Sequence, residues 1–540
     1  MPTTSSLEEL FLAALKSRLP SALPQFLAKQ RWFGGKARTI RAVEVSDIIP
    51  FHSDTHRSYF IVAQVEYISG PTETYDIPLV RAPDGPAQPS DSSLLRIQPG
   101  NFPEEIVLKD ALTDEKFLNQ LLDAIANGVC LRGARGQARA VFTSALQSLW
   151  QHSQGPLTPS VMNAEQSNSS VVYENRLVLK IFRRLQEGLN PDLEIGFFLT
   201  GKTSFRNVPP LAGYLEYLSE KGTSASLGIL QGYVANQGDA WQFTLKALAE
   251  YYGKAPQWVS LGAGEIPHVQ LLTLCAEALP DEATQRIGPY LSSAALLGQR
   301  TAELHLALAS APEDPDFAPQ PFSEADLQVF ANSAVQLLTA NFDLLRRLKD
   351  QMPNHARQEA ESVLRLEEVA RRRFQLFAGR KSSAMVTRIH GDYHLGQILF
   401  TGSDFVIIDF EGEPARPLEE RRKKRSPLQD VAGMLRSFHY AAYAPLLQAN
   451  SKRPPQEVLQ TLGHWAQYWQ RWVSATFLKA YLEVSGSSNF IPKNREELAL
   501  LLDLYLLDKA VYELGYELNN RPSWVRIPLD GISQLLQESI

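Results

Sequence analysis

Two acidic residues near position 400 lie at a spacing that could support chemistry. Asp392 is placed in a loop after a short strand, and Asp409 ends the apolar strand FVIID. Gln397 lies five residues beyond Asp392. Phosphoryl transfer needs a carboxylate to orient and deprotonate an attacking hydroxyl, and oxygen ligands to hold Mg²⁺ against a triphosphate. In such a site Gln397 could offer an amide oxygen to the metal, and Asp409 a charged oxygen.

Each of these residues also has an ordinary structural explanation. Asp392 follows His390 and Gly391 and could be a turn residue, while DFEG could be the polar end of a strand. Taken together, in the order HGDxHxxQ followed by DFEGEP, the residues favour phosphoryl transfer.

A lysine in the run LVLKIF is the next candidate. Lys180, between apolar strand residues, must reach a polar partner or be desolvated at a cost. In kinases such a lysine pairs with ATP phosphates and with a glutamate on the next helix. Glu194, in PDLEIGFF, is the candidate glutamate. The alternative is an edge-strand lysine whose ammonium group reaches water.

Two further stretches could contact a nucleotide. The loop AEQSNSS has no glycine, so phosphates would be covered by backbone N–H groups and by the hydroxyls of Ser167, Ser169 and Ser170. Ser- and Asn-rich turns are common for other reasons. The segment from Gln231 to Tyr233 falls where two lobes should join, and its backbone could contact the adenine edge or simply connect the lobes.

A helical pattern near the C-terminus places Lys509, Tyr512, Glu513 and Tyr516 on one face. Two tyrosines and a charge pair suit a sugar, which offers flat apolar surface and hydroxyl groups. The same spacing also fits an amphipathic surface helix. The sequence contains no HExxH, GxSxG or GxxxxGK[ST] pattern, which argues against zinc-protease, esterase and P-loop functions.

The elements that must position these residues fall into three parts. The first module is predicted over 1–95. It contains a helix from the spacing at 7–30, ending at Pro24 or shortly after, and strands from the pattern at 40–80, and the linker RAPDGPAQPSDSS follows them. A hairpin, the lysine-bearing strand, a helix and two strands continue this lobe over 96–235. Residues 236–540 are mostly helical by the i, i+3, i+4 apolar spacing. A sheet module before a helical module is the division of a two-lobed kinase.

Composition limits the kind of protein. At 540 residues and 60.3 kDa, the chain is too long for one hydrophobic core. The net charge of −6 argues against a nucleic-acid partner, and no apolar stretch reaches the roughly 18–20 residues of a membrane helix. Two distant cysteines and an N-terminus without a signal-peptide pattern fit a reducing compartment. We therefore expect a cytoplasmic protein with a small-molecule partner, no nucleic acid and no membrane.

Several segments closely resemble bacterial maltokinases, which are relatives of the aminoglycoside phosphotransferases and eukaryotic-like kinases. They are HGDYHLGQILF, IIDFEGEPARPLEERRKKRSPLQDVAGMLRSFHYAA, EQSNSSVVY, LVLKIFRRL, NPDLEIGFFL, DKAVYELGYELNNRPSWVRIPL and, at 31–38, RWFGGKAR. The resemblance covers most of the chain and is weakest at 100–160 and 310–380. It implies an α+β, two-lobed kinase-like fold with an N-terminal cap subdomain and a mostly helical C-lobe.

The resemblance also implies an activity and roles. The implied reaction is phosphorylation of maltose by ATP, with Mg²⁺, to maltose 1-phosphate, which feeds glycogen and α-glucan synthesis. Some maltokinases are fused to a trehalose synthase, and this chain would instead act alone or beside a separate synthase. The implied roles are the catalytic base Asp392, the magnesium ligands Gln397 and Asp409 with Glu411 close by, the phosphate-positioning pair Lys180 and Glu194, the maltose-contacting Lys509, Tyr512 and Tyr516, and His394 beside the reacting sugar.

Departures and alternatives remain. His439 stands where the family pattern has an acidic residue, which puts one supporting contact in doubt, and the chain carries extra helical length at 310–380. A kinase of glucosamine, glucose or another sugar would share Asp392, Gln397 and Asp409 but differ in the sugar helix, and its metal motif would more often read DFDGNP. A non-catalytic kinase-like scaffold would be expected to lack Lys180, Asp392 or Asp409, and all three are present.

Overall fold

The computed structural model divides the chain into two compact units. The first contains Met1–Lys202 and Pro209–Ala235, and the second contains Thr203–Val208 and Asn236–Ile540. The structure describes residues 4–53, 56–81, 95–97, 106–150, 155–162, 168–259, 264–448 and 456–537. None of the helices in these ranges combines the length and the apolar character needed to cross a membrane.

The first unit is built mainly from antiparallel strands. Its helices are α1 (Thr4–Lys29), α2 (Glu115–Ala126), α3 (Ser144–Leu149) and α4 (Pro191–Lys202). Its strands are β1 (Ile40–Ser53), β2 (His56–Tyr67), β3 (Glu73–Arg81), β4 (Leu95–Ile97), β5 (Ile106–Asp110), β6 (Cys130–Arg132), β7 (Gly136–Phe142), β8 (Pro159–Met162), β9 (Asn168–Tyr173), β10 (Leu177–Phe182), β11 (Arg184–Leu185), β12 (Leu211–Ser219) and β13 (Ser224–Gly232).

These strands form two sheets, which we call the first and the second sheet. The first sheet has the order β1-β2-β3-β5-β4, and β11 also pairs with β3. The second sheet has the order β6-β7-β12-β13-β10-β9-β8. Apolar residues of α1 pack on one face of the first sheet, whereas its other face shares a core with α2 and the second sheet. The first and the second sheet therefore stabilise each other through the apolar surface that they bury together.

Strand β10, which carries Lys180, is an interior strand of the second sheet. It pairs with β9 on one side and with β13 on the other, so that Lys180 lies opposite Ser170 and Ile229. The predicted tight turn before it is present, with positive φ of 46° at Glu174 and 54° at Asn175, as the favoured two-residue hairpins require. The interpretation of Lys180 as an edge-strand lysine is therefore wrong.

The second unit is mostly helical. Its helices are α5 (Ala240–Val259), α6 (Leu271–Leu274), α7 (Asp281–Ile287), α8 (Tyr290–Leu308), α9 (Glu324–Leu348), α10 (Asn354–Arg365), α11 (Glu367–Gln375), α12 (Leu418–Arg421), α13 (Leu428–Gln448), α14 (Gln456–Ser485), α15 (Arg495–Asn520) and α16 (Arg526–Gln537). Its strands are β14 (Gln320–Pro321), β15 (Met385–Val386), β16 (Ile398–Phe400) and β17 (Phe405–Ile407).

Two helix predictions differ from the structure in detail. Helix α1 begins at Thr4 and continues through Pro20 and Pro24 to Lys29, near the end of the helical spacing at 7–30. It passes both prolines because its apolar side chains are buried against the first sheet and tertiary packing can override local propensity. Helical spacing continues through HARQEAESVLRLEEVARRRFQLF, but the structure divides this segment at Leu366, whose φ and ψ of −91° and 3° end α10. No glycine or proline marks that break in the sequence.

Candidate active site

The loop that carries Asp392 is fixed by one carboxylate on α13. Asp430 Oδ2 accepts the backbone N–H of His390 at 2.7 Å, and Oδ1 accepts that of Gly391 at 3.0 Å. Oδ2 also lies 3.1 Å from Nε2 of His305 on α8. Burial acts to raise the pKa of Asp430, but the hydrogen bond and charge of His305 and the backbone bond from Gly391 lower it below the ordinary value. Asp430 therefore stays ionised and holds the loop.

Helix α13 contacts the same loop at two more positions on one face. A Cβ at Gly433 would lie 2.6 Å from the carbonyl oxygen of Tyr393, so that only glycine permits this approach. Ser437 Oγ accepts the backbone N–H of Leu395 at 3.1 Å. Asp430, Gly433 and Ser437 thus position the backbone on both sides of Asp392. The sequence analysis assigned no role to these residues.

His390 joins this loop to the strand that leads to Asp409. Its Nδ1 accepts the N–H of Asp392 at 3.3 Å, and its Nε2 donates to the carbonyl of Ile408 at 2.9 Å. These partners assign the neutral tautomer with hydrogen on Nε2. The ring also packs against Phe410 at 4.9 Å between centroids. His390 thereby couples the position of Asp392, the predicted base, to that of Asp409, a predicted metal ligand.

Asp409 lies just past β17 in an unusual backbone conformation. Its φ is +66°, a region that a non-glycine residue occupies at some energetic cost and that is frequent at functional sites. Carboxylate oxygens of Asp409 and Glu411 lie within 4.8 Å of one another. The backbone of Gln397 is held next to this strand, because its carbonyl accepts the N–H of Ile408 at 3.0 Å. Amide and carboxylate oxygens are the donor set that suits Mg²⁺, so the residues fit the predicted ion.

His394 is surrounded by the charged groups of the site. Burial lowers its pKa below the ordinary value, and the charges of Asp392, Lys509 and Asp409 all act on it. Its Nδ1 accepts the N–H of Gly396 at 3.1 Å. The imidazole is therefore neutral near pH 7 with hydrogen on Nε2, and it can donate to an oxygen of a substrate.

The predicted sugar face of α15 lies against the loop that carries Asp392. Lys509 Nζ is 3.7 Å from Asp392 Oδ1 and 4.8 Å from the centroid of the Tyr512 ring. Tyr516 is 46% exposed on the same helix. Glu513 does not belong to this face, because it is buried and accepts two hydrogen bonds from Arg436, at 2.8 and 2.6 Å. The predicted Lys509–Glu513 charge pair is therefore wrong.

A cluster of charges that the sequence analysis missed lies beside this face. Glu413 is buried, forms an ion pair with Arg416 at 2.5 Å and accepts the hydroxyl of Tyr512. Burial acts to raise its pKa, but Arg416 together with Lys509 and Tyr512 lowers it. Burial raises the pKa of neighbouring Asp508 to about 6. Only the Glu-Pro-Ala-Arg segment after Asp409 hinted at this cluster, since its partners come from a distant helix.

In the first unit, Lys180 is paired with Asp192. Lys180 Nζ lies 3.1 Å from Asp192 Oδ2, and both side chains are buried. Asn190 Oδ1 accepts the N–H of Asp192 at 2.8 Å, which holds the first turn of α4. The predicted partner Glu194 is buried two residues further along α4 and remains a prediction. Sequence reasoning missed Asp192 because both acidic residues share the first turn of one helix.

The predicted nucleotide-contacting segments are partly described. Ser170 lies opposite Lys180 in the pairing of β9 with β10. Ser169 Oγ accepts a hydrogen bond from the Nε–H group of Arg183 at 2.9 Å. Ser167 lies outside the described residues. Gln231 pairs with β10. The N–H of Tyr233 donates to the carbonyl of Arg176 at 2.8 Å, so a contact from Tyr233 to adenine would need its carbonyl or its ring.

His439, the residue that departs from the family pattern, lies on α13 and is buried against α16. Its Nε2 lies 3.5 Å from Asp530 Oδ2, and its ring meets that of Tyr443 edge-on at 4.9 Å. Burial lowers its pKa, with Arg436 acting in the same direction, so that the ring is neutral. Its described contacts are with these helices and not with the loop that carries Asp392.

Comparisons with known proteins agree with this architecture. The family described as the maltokinase N-terminal cap domain matches residues 26–114. Glucosamine kinase of Mycolicibacterium smegmatis is 23% identical over 381 residues, which are 70% of this chain and 79% of that protein.

Solved structures give the same result. A glucosamine kinase in complex with glucosamine, ADP and inorganic phosphate has a TM-score of 0.59 and 18% identity, over 95% of this chain and 98% of that chain. Another crystal form of glucosamine kinase has a TM-score of 0.60 and 18% identity, over 96% of this chain and 99% of that chain. The predicted α+β kinase-like fold with an N-terminal cap and a helical C-terminal part is confirmed.

Proposed function

We propose that this chain, whose residues 26–114 match the maltokinase N-terminal cap domain, transfers the γ-phosphoryl group of ATP to the anomeric hydroxyl of maltose. The product is maltose 1-phosphate, an activated sugar for α-glucan synthesis. The observation that carries the proposal is the placement of Asp392 next to Lys509 and Tyr512 of α15. The maltose would be supplied by another enzyme activity, such as that of a trehalose synthase.

The catalytic loop supplies the base. Asp392 accepts the proton of the attacking hydroxyl while the loop backbone is held by Asp430 and Ser437. A general base of this kind contributes about 10²–10⁴-fold to the rate. The neutral His394 donates its Nε2 hydrogen to a sugar oxygen, which orients the hydroxyl toward Asp392.

Each unit contains residues that we propose bind ATP phosphates or the metal ion. In the second unit, Asp409 and Gln397, with Glu411 close by, would hold Mg²⁺, which supplies charge neutralisation for the transferring phosphate. In the first unit, Asp192 orients the ammonium group of Lys180, which binds phosphate oxygens of ATP. Fixed charges of this type act mainly by stabilising the charge that develops in the transition state.

The charges on the sugar face support a neutral sugar. Lys509 brings an ammonium group to within 3.7 Å of Asp392. Glu413, a buried carboxylate beside this face, is already paired with Arg416 and with the Tyr512 hydroxyl. A protonated aminosugar would add a cation beside Lys509, and like charges brought together in a partly desolvated site oppose binding. Maltose brings no charge.

The second candidate is a glucosamine kinase, since the similar proteins carry that name. It would use the same base and metal ligands, so activity on the sugar must separate the two. The purified chain should be assayed with ATP and Mg²⁺ against maltose, glucose and glucosamine. We expect maltose to give the highest kcat/KM. A higher kcat/KM for glucosamine would overturn the maltose assignment and leave the kinase assignment in place.

A charge variant sharpens this test. Lys509→Met removes the ammonium group and keeps an unbranched side chain, so we expect a higher KM for maltose and a smaller preference for maltose over glucosamine. Lys479→Met is a matched control, because Lys479 is exposed on α14. An unchanged preference in the Lys509 variant would show that this charge does not exclude aminosugars.

A further inference from the structure

The chain passes from the second sheet to the first sheet at one residue. Arg183 lies between β10, which carries Lys180, and β11, which pairs with β3. Its carbonyl accepts the N–H of Asp76 at 2.8 Å. The backbone that follows Lys180 is therefore hydrogen-bonded to the module that matches the maltokinase cap.

The side chain of Arg183 joins the same two parts of the unit. It is 1% exposed, and its Nε donates to Ser169 Oγ at 2.9 Å on β9. Its Nη2 donates to Asp110 Oδ2 at 2.6 Å, where β5 ends. Its Cζ lies 4.5 Å from the ring centroid of Trp32, within the range of a cation–π interaction. We call Arg183, Trp32, Asp110 and Ser169 the Arg183 junction.

Trp32 belongs to the RWFGGKAR segment, which is itself fixed on β3. In that segment Arg38 pairs with Glu73 at 2.5 Å and stacks on Tyr67 with Cζ 3.8 Å from the ring centroid. Glu73 is buried, and the Tyr67 hydroxyl donates to it at 2.8 Å. A Cβ at Gly35 would overlap the Tyr67 hydroxyl. The position of Trp32 is thus set by several contacts within the cap and does not depend on Arg183 alone.

A second carboxyl group lies beside the junction. Asp76 is fully buried, and among the described residues its carboxyl oxygens accept no hydrogen bond. Burial raises its pKa to about 8, against the opposing effect of Arg183. Asp76 is therefore mostly protonated near pH 7, which leaves Asp110 as the charged partner of Arg183.

We propose that the cap positions the phosphate-binding part of the second sheet through the Arg183 junction. Trp32 and Asp110 fix the guanidinium group, and Arg183 in turn fixes Ser169, which pairs with Ile181 next to Lys180. Arg183 and Trp32 are positioning residues for ATP phosphates, and they do not touch the reacting atoms. This inference rests on the proposed function, because it requires that Lys180 binds ATP.

The test uses the full chain and measures ATP affinity by calorimetry, together with the KM values for ATP and maltose and kcat. For Trp32→Ala and Arg183→Lys we expect the Kd and KM for ATP to rise about five- to tenfold, in the range of typical coupling between sites. The KM for maltose and kcat should stay within about twofold of wild type, and Trp32→Phe should restore most of the ATP affinity because it keeps an aromatic face.

A matched control and a double-variant cycle separate positioning from loss of stability. Arg139→Ala breaks the exposed pair with Glu216 on the same sheet, and it should leave ATP affinity unchanged. If Trp32 acts through Ser169, Trp32→Ala should add little to the ATP Kd in a Ser169→Ala background.

The outcomes distinguish the two proposals. Unchanged ATP affinity in Trp32→Ala, a lowered melting temperature without a change in ATP affinity, or full additivity with Ser169→Ala would each overturn the junction. A wild-type chain that binds no ATP would overturn the proposed function itself.

Discussion

Replacing Asp430 by Asn tests whether α13 positions the catalytic loop. The carboxylate accepts two backbone N–H groups, at 2.7 and 3.0 Å, and lies 3.1 Å from His305 Nε2. An Asn side chain keeps one acceptor oxygen and turns an NH₂ group toward a donor. At least one charge-assisted hydrogen bond is lost, and one buried donor is left without a partner.

The size of the effect follows from these bonds. A hydrogen bond to a charged group contributes about 1.5–3 kcal/mol, and an unsatisfied buried donor costs about 1–3 kcal/mol. We therefore expect Asp430→Asn to lower the free energy of unfolding by about 3–5 kcal/mol. Because a shift of about 1 Å in a catalytic group can cost about 10²-fold in rate, we expect kcat to fall by about 10²-fold, with the Kd for ATP within about threefold of wild type.

The assay compares kcat at a temperature well below the melting point of the variant, with the folded state checked by circular dichroism. Asp404→Asn is the matched control, because Asp404 accepts two hydrogen bonds from Arg300 at 2.8 Å in the same unit but does not contact the loop. It should lose stability and keep kcat. A folded Asp430→Asn variant with wild-type kcat would refute the positioning role of α13.

The other predictions concern the base, the metal, the sugar and the cap. Asp392→Asn should lower kcat by about 10²–10⁴-fold with ATP binding nearly intact, and a near wild-type kcat would remove it from the mechanism. Asp409→Asn should shift the midpoint of a Mg²⁺ titration to higher concentration, since an amide lacks the charge that holds a hard cation; an unchanged midpoint would contradict its role. Tyr512→Ala should raise the KM for maltose more than Tyr516→Ala, because Tyr516 is 46% exposed, and neither should change the KM for ATP. Burial raises the pKa of Asp76 to about 8, so Asp76 releases its proton more readily in the unfolded chain, and the stability of the wild type falls as pH rises from about 4 to 8. Asp76→Asn does not lose stability in this way. Its free energy of unfolding relative to wild type, measured with urea, should therefore be higher at about pH 8 than at about pH 5.

Local patterns carried the predictions that the structure supports best. The apolar run LVLKIF and the Glu174-Asn175 turn predicted the hairpin that carries Lys180, because both depend on neighbouring residues. The spacing from Asp392 to Asp409 matched a strand–loop–strand arrangement in which the two residues are coupled through His390.

Contacts between segments that are distant in the sequence could not be predicted from local patterns. Asp430 resembles an ordinary acidic residue in the first turn of a helix. Nothing in its spacing indicates that it accepts a hydrogen bond from a residue 40 positions earlier. Arg183 resembles a surface charge at a strand end, yet it is buried between Trp32 and Asp110. Tertiary packing decides such partners, whereas periodicity reports only which face of one element is apolar.

The most direct test of the proposed function is a competition experiment with product identification. Wild-type protein is mixed with ATP, Mg²⁺ and equal concentrations of maltose and glucosamine, and the phosphorylated sugars are identified by ³¹P NMR and mass spectrometry. We predict that maltose 1-phosphate forms first and predominates. Predominant glucosamine phosphate, or ATP consumption without phosphorylation of either sugar, would contradict the account.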